Sequence, residues 1–224
     1  MTRASEALPH SSSSYDGHRL TPKALATRTR IIECATDLFA NDGYAAVTVR
    51  GIAAETGLSS GAIYATFRGK ADLLVQTVRA SIAEDLETLP ASIVAKPLPE
   101  IDAYQFKISS SARRQRFRKL LLEAAVAART DNDVRDQLST ILQARVDDWA
   151  AAHTEWKRTS GVARGTDMRA LTTLLVSIDL GMGVLSALGV DTPSPEQSSA
   201  LVLRLMESLV ASEPVRRAPK RTRS

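Results

Sequence analysis

The side chains best placed to do chemistry lie in one run of twenty residues, TVRGIAAETGLSSGAIYATF, at positions 48–67. Thr48 puts a hydroxyl where a first helix starts, and Ser59 or Ser60 does the same for a second; each can accept a backbone N–H as an N-cap. Gly57 between them supplies a cheap left-handed turn and swings Leu58 inward. Small Ala53 lets the two helices cross closely. Ile63 and Phe67 are four apart and share an inner face, which leaves Ala62, Tyr64, Ala65 and Thr66 outward or lateral. Two short helices around a glycine, with an apolar inside and a small, polar outside, suit a helix-turn-helix that enters a major groove of DNA. An ordinary helix hairpin that only packs satisfies the same twenty residues, so the flanking elements carry weight.

Upstream, TPKALATRTRIIECATDLFANDGY has the marks of one helix. Thr21 precedes Pro22 at a first-turn position, Ile31, Ala35, Leu38 and Phe39 share an apolar face, and Asn41, Asp42 and Gly43 end it. Downstream, Arg68, Gly69 and Lys70 make a short polar break before ADLLVQTVRASIAEDLETL, where Leu73, Leu74, Val78 and Ile82 recur at helical spacing. Over residues 25–85 the chain resembles the TetR (tetracycline-repressor-like) family of bacterial transcription regulators, in TRTRIIECATDLFANDGY, TVRGIAAETGLSSGAIYATF and RGKADLL. Beyond that segment the resemblance is topological.

The resemblance implies phosphate contacts for Thr48 and Tyr64, a phosphate contact for Lys70 at the start of the fourth helix, and a groove-facing end made of Ser59, Ser60, Gly61 and Ala62. Helix N-termini, a tyrosine hydroxyl and a lysine beside a turn are all suited to phosphate. Two positions depart from the family's habit: Thr66 stands where a histidine is common, and Ser60 where lysine, arginine or proline is frequent. Both changes remove bulk or charge from the DNA face and shift weight onto Arg50. Gly51 sits where a capping carboxylate would have helped the helix start.

Composition alone would not lead here. Of 224 residues, 29 are basic and 25 acidic, a net charge of +4, and the last thirteen, SEPVRRAPKRTRS, hold five basic groups and one acid. The surplus therefore describes a tail, either a solubilising end or a phosphate-binding arm, and does not locate a reading surface. Residues 1–20, serine-rich with Pro9 and Gly17, read as a disordered leader without the apolar segment of a secretory signal, which points to the cytoplasm. Cys34, the one cysteine, excludes an internal disulfide and reads as a small buried apolar residue on the first helix. His10, His18 and His153 are scattered, so no metal or cofactor is expected.

The periodicity is helical throughout, giving an all-α fold: a DNA-binding head at 21–69, a ligand-binding and dimerisation domain at 70–212, and a basic disordered tail at 213–224. Pro90, Pro97 and Pro99 interrupt the chain, and residues 101–111 suit either a short helix or a loop over a cavity. RRQRFRKLLLEAAVAART reads as a helix whose charge run is a solvated face; Phe117 and Leu121 lie on its apolar stripe. Asp131 or Asn132 then caps a long helix whose end sets Trp149, His153 and Trp156 on one side, as core or as the lining of a ligand site. DMRALTTLLVSIDLGMGVLSALGV is long enough to span a membrane, but Asp179 near its centre argues against lipid. A second apolar helix follows Pro195. By resemblance, the last two helices pair with their copies in a second subunit, which places Leu175, Ile178, Leu185, Leu201, Leu205 and Leu209 at dimerisation positions.

No nucleophile elbow, phosphate loop or carboxylate pair with a plausible base is present, which argues against an enzyme. The expectation is a homodimeric, ligand-responsive regulator, a repressor released from an inverted-repeat operator by a small molecule. A nonspecific architectural DNA protein, or an activator on the same fold, remains the alternative.

Overall fold

The computed structural model describes residues 21–87, 92, 96–108, 111–160, 162 and 165–211; the expected leader at 1–20 and the basic tail at 213–224 lie outside it. Every regular element among the described residues is helical. The helices are α1 (Pro22–Asp42), α2 (Val49–Thr56), α3 (Ser60–Tyr64), α4 (Lys70–Glu87), α5 (Leu98–Lys107), α6 (Ala112–Ala128), α7 (Asn132–Ser160), α8 (Met168–Ala187) and α9 (Pro195–Ala211).

Local chemistry sets the boundaries. Thr21 Oγ1 accepts Ala24 N–H to start α1, and Pro22 occupies its first turn. Asp131 caps α7 through Val134 N–H at 3.1 Å, and Asp167 caps α8 by accepting from Arg169 and Ala170. The segment at 101–111, left open between helix and loop, belongs to α5 as far as Lys107.

Two apolar cores result. The first gathers Ile31, Ala35 and Phe39 of α1, Ile52 of α2, Ile63, Phe67, and Leu73, Leu74 and Val78 of α4. It continues into Leu120 and Ala124 of α6 and Val134 and Leu138 of α7, so the head and the larger domain share one packed interior. The second core joins Phe106, Trp156, Met168, Leu171, Leu175, Val202 and Met206, where α5 lies along α9 and α7 along α8.

The charge run of α6 is a solvated face only in part: Lys119 is exposed and Arg113 and Arg116 are half-buried. Arg114 and Arg118 are buried and both pair with Asp179 of α8, Arg114 at 3.7 Å. α8 has the length and hydropathy of a spanning helix, yet its central carboxylate is held by two guanidiniums from inside the protein. Its other side leaves Leu174, Ile178 and Leu185 exposed, and α9 likewise exposes Leu201 and Leu205.

Candidate functional site

The helix-turn-helix is built as its residues dictate. Thr48 Oγ1 accepts Gly51 N–H at 3.0 Å and caps α2; a side chain at Gly51 would set its Cβ 3.3 Å from that oxygen. Gly57 adopts φ 63°, ψ 27°, and its N–H closes α2 on Ala53 and Ala54. Ser59 Oγ accepts Ala62 N–H at 3.1 Å, which makes Ser59, not Ser60, the cap of α3. Ile63 and Phe67 are fully buried below; Tyr64 is 58% exposed above. Regular α-helix stops at Tyr64, although Phe67 N–H still bonds Ile63 O at 2.8 Å, so the outward surface runs from Ser59 through Thr66. Thr66 Oγ1 turns back to Ala62 O at 3.2 Å. Gly61, Tyr64 and Arg50 are exposed beside it, and Ser60 and Ala62 half-buried.

Lys70 behaves differently from the other residues of this group. Its ammonium donates to Tyr44 O at 2.9 Å and Val47 O at 3.0 Å and stands 4.3 Å from the Tyr44 ring centroid. Those bonds fix the loop that leads into α2. On the far side of the head, Arg28 covers the Phe67 ring at 4.7 Å. Cys34 is partly buried against the first core; burial foremost, then the Glu55 and Asp37 carboxylates, pushes its thiol up from its ordinary range. Burial also pushes up the Tyr44 phenol, with Asp131 adding to the effect.

A cavity of about 130 Å³ opens between α4, α5, α6, α7 and α8. Phe117, Leu121, Trp149 and His153, four of the residues expected at a ligand site, line it; Trp156 instead belongs to the second core. Leu175, expected at the dimer face, is buried and also lines the cavity, and Leu209 packs half-buried on the second core. The polar lining that sequence reasoning missed is Asp102, Gln105, Arg114, Arg145, Thr172 and Asp179. Asp179 alone gave a signal, as a carboxylate in an apolar helix that must find a partner.

His153 is the centre of a buried network. Its Nε2 lies 2.8 Å from Asp102 Oδ2, and its Nδ1 lies 2.9 Å from both Trp149 O and Thr172 Oγ1. The Thr172 hydroxyl is also 2.8 Å from Met168 O, so this threonine sits as a helix back-bond and not as a nucleophile in waiting. Among the described residues no group of three or more metal-ligating side chains forms.

Residues 31–77 match the family described as "Bacterial regulatory proteins, tetR family". The match runs from the middle of α1 through the helix-turn-helix into α4. YerO of Bacillus subtilis (strain 168), an uncharacterized HTH-type transcriptional regulator, is 34% identical over 77 residues, or 33% of this chain and 27% of YerO. The match thus spans little more than a quarter of that relative.

The fold likeness reaches much further than the sequence match. A structure described as a TetR-family transcriptional regulator from Rhodococcus sp. superposes with a TM-score of 0.72 over 82% of this chain and 98% of its own, at 16% identity. FadR of B. subtilis, solved with stearoyl-CoA, gives 0.65 over 80% and 96% at 19% identity. A Saccharomonospora viridis regulator solved with choline gives 0.63 over 82% and 96% at 20% identity. The chain therefore has the TetR fold, a helix-turn-helix head on an all-helical second domain.

Proposed function

We propose that the chain is a homodimeric, sequence-specific transcriptional repressor of the bacterial cytoplasm, released from an inverted-repeat operator by a small molecule. The observation that carries this reading is the outward surface of α2 and α3. Thr48, Ser59, Gly61 and Tyr64 are exposed, with Ser60 and Ala62 half-buried among them, while Val49, Ile52, Ile63 and Phe67 are turned inward. Such a surface offers helix N-termini and a phenol to phosphates, and a low profile to base edges. Thr48, Arg50, Tyr64 and the Lys70-fixed loop would hold the backbone; Ser59, Ser60, Gly61, Ala62 and Thr66 would face the groove.

Dimerisation follows from what a single chain leaves uncovered. Leu174 and Leu201 are 61% and 59% exposed, and with Ile178, Leu185 and Leu205 they form apolar faces on two long helices that a second copy would cover. Two heads would then reach major grooves about 34 to 36 Å apart, one helical turn. Solved neighbours with stearoyl-CoA and with choline support a ligand role for the cavity. Those two ligands differ too much in size and charge to pass an effector identity to this chain.

The test is selection of random DNA duplexes by protein that has been unfolded and refolded to strip any bound ligand. One enriched inverted repeat supports the reading. An unenriched pool, bound with a steep salt dependence, would favour an architectural DNA protein instead.

A further inference from the structure

We infer that the cavity is built for an uncharged, apolar molecule about the size of one aromatic ring. This rests on the reading of the cavity as the effector site and adds to it a chemical class.

The first argument is where the polar groups of the wall are engaged. Asp102 and His153 meet at 2.8 Å, and the Thr172 hydroxyl lies 2.9 Å from His153 Nδ1 and 2.8 Å from Met168 O. Asp179 is held by Arg114 and Arg118, and Arg114 also donates to Gln105 Oε1. The Arg145 guanidinium lies 4.8 Å from the centroid of the Trp149 ring. Each charged side chain of the lining is thus already in contact with another part of the protein. Gln105 Nε2 and Arg114 Nε are buried beyond the reach of a water molecule, so neither atom is presented to the cavity.

The second is the surface that remains. It is mostly apolar, from Phe117, Leu121, Leu142, Leu175, Val176 and Leu180. An ion set against those side chains would lose its hydration and would have to compete with contacts already made for any counter-charge, which is costly. An apolar body would instead leave water and gain their packing.

Size gives the third. About 130 Å³ is close to the roughly 150 Å³ of an apolar protein cavity that stays dry and takes up benzene. One ring matches that volume.

Calorimetric titration of the refolded full chain with toluene, benzoate and benzylamine, three probes of similar size and different charge, tests this. Toluene is expected to bind with a Kd on the order of 1 mM or tighter, and both ions about tenfold more weakly or not at all. Val176 and Leu142 line the cavity from partly exposed positions, so Val176→Phe and Leu142→Phe can each set a ring into it. Each should weaken toluene about tenfold while the thermal unfolding transition stays in place. Preference for either ion, equal binding of the three probes, failure of all three to bind, or toluene affinity unchanged in both variants would overturn the inference. An ion that binds best and also loosens the operator would sink this inference and leave the effector reading standing. Toluene bound best, yet without effect on operator affinity, would bear out the ligand class and remove the effector role.

Discussion

Glu123 of α6 accepts the backbone N–H of Tyr44 at 2.7 Å, which ties the middle of a cavity-lining helix to the loop that delivers the chain into α2. The contact is close: a Cβ on Gly43, which holds φ 84°, would lie 3.3 Å from the same carboxylate. Two turns earlier on α6, Arg116 reaches Asp37 of α1 at 2.8 Å and Glu84 of α4 at 3.7 Å. Phe117 and Leu121 of the same helix line the cavity, while Leu120 and Ala124 pack in the head's core. α6 thus contacts α1, α4 and the entry to the motif as well as the cavity.

Replacing Glu123 with Ala should strip Tyr44 N–H of its acceptor and destabilise the head by about 1 to 3 kcal/mol. Urea unfolding should show a lower midpoint at unchanged slope, and amide exchange at Tyr44 should quicken. Unaltered exchange at Tyr44 would mean that the bond does not hold the loop.

Asp179→Asn removes the carboxylate that Arg114 and Arg118 share. Breaking a buried pair by deleting one partner typically costs about 3 to 5 kcal/mol, because the opposite charge stays buried. Thermal unfolding should record the loss, whereas a change within error would show that the arginines find equivalent partners.

Tyr64→Ala should weaken binding to every duplex to a similar degree, since a phosphate contact carries no sequence information. Ala62→Arg should instead change which base pairs are preferred. Fluorescence anisotropy on the selected operator and on scrambled duplexes separates the two effects. Intact operator binding by Tyr64→Ala would place the recognition surface elsewhere.

The Cys34 thiol and the Tyr44 phenol both hold their protons to higher pH in the folded chain than in the unfolded one. Between those two limits the native state binds more protons, so stability should fall as pH rises through the ordinary thiol and phenol ranges. Native Cys34 should also react slowly with a disulfide reagent near pH 8 and quickly once the chain is unfolded. Fast labelling of native protein would contradict the burial that holds the thiol protonated.

The head was legible because its signals are local. Thr48, Gly57 and Ser59 act on backbone groups within four residues of themselves, and Ile63 and Phe67 announce the inner face by spacing alone. The polar interior was not, because its partners lie far apart in sequence. Arg118 looks solvated until Asp179, sixty-one residues on, is folded against it, and His153 meets an aspartate fifty-one residues earlier. Lys70 shows the same limit at shorter range: a lysine beside a turn is free to reach phosphate in sequence, and in the fold its ammonium is spent on the carbonyls of Tyr44 and Val47. Periodicity likewise set Trp149, His153 and Trp156 on one side of α7 without showing that the cavity ends between His153 and Trp156.

The central claim, that two copies of this head read one inverted repeat, is tested most directly by duplex selection with refolded native protein beside Leu201→Glu/Leu205→Glu protein. The exposed positions of both leucines make the double variant compatible with a folded chain, to be confirmed by its helical circular dichroism. The native protein should enrich a single inverted repeat with half-site centres about one helical turn apart, bound as two chains per duplex in sedimentation, and the variant should sediment as a monomer and enrich nothing. An unenriched pool from the native protein, or equal enrichment by a monomeric variant, would contradict the account.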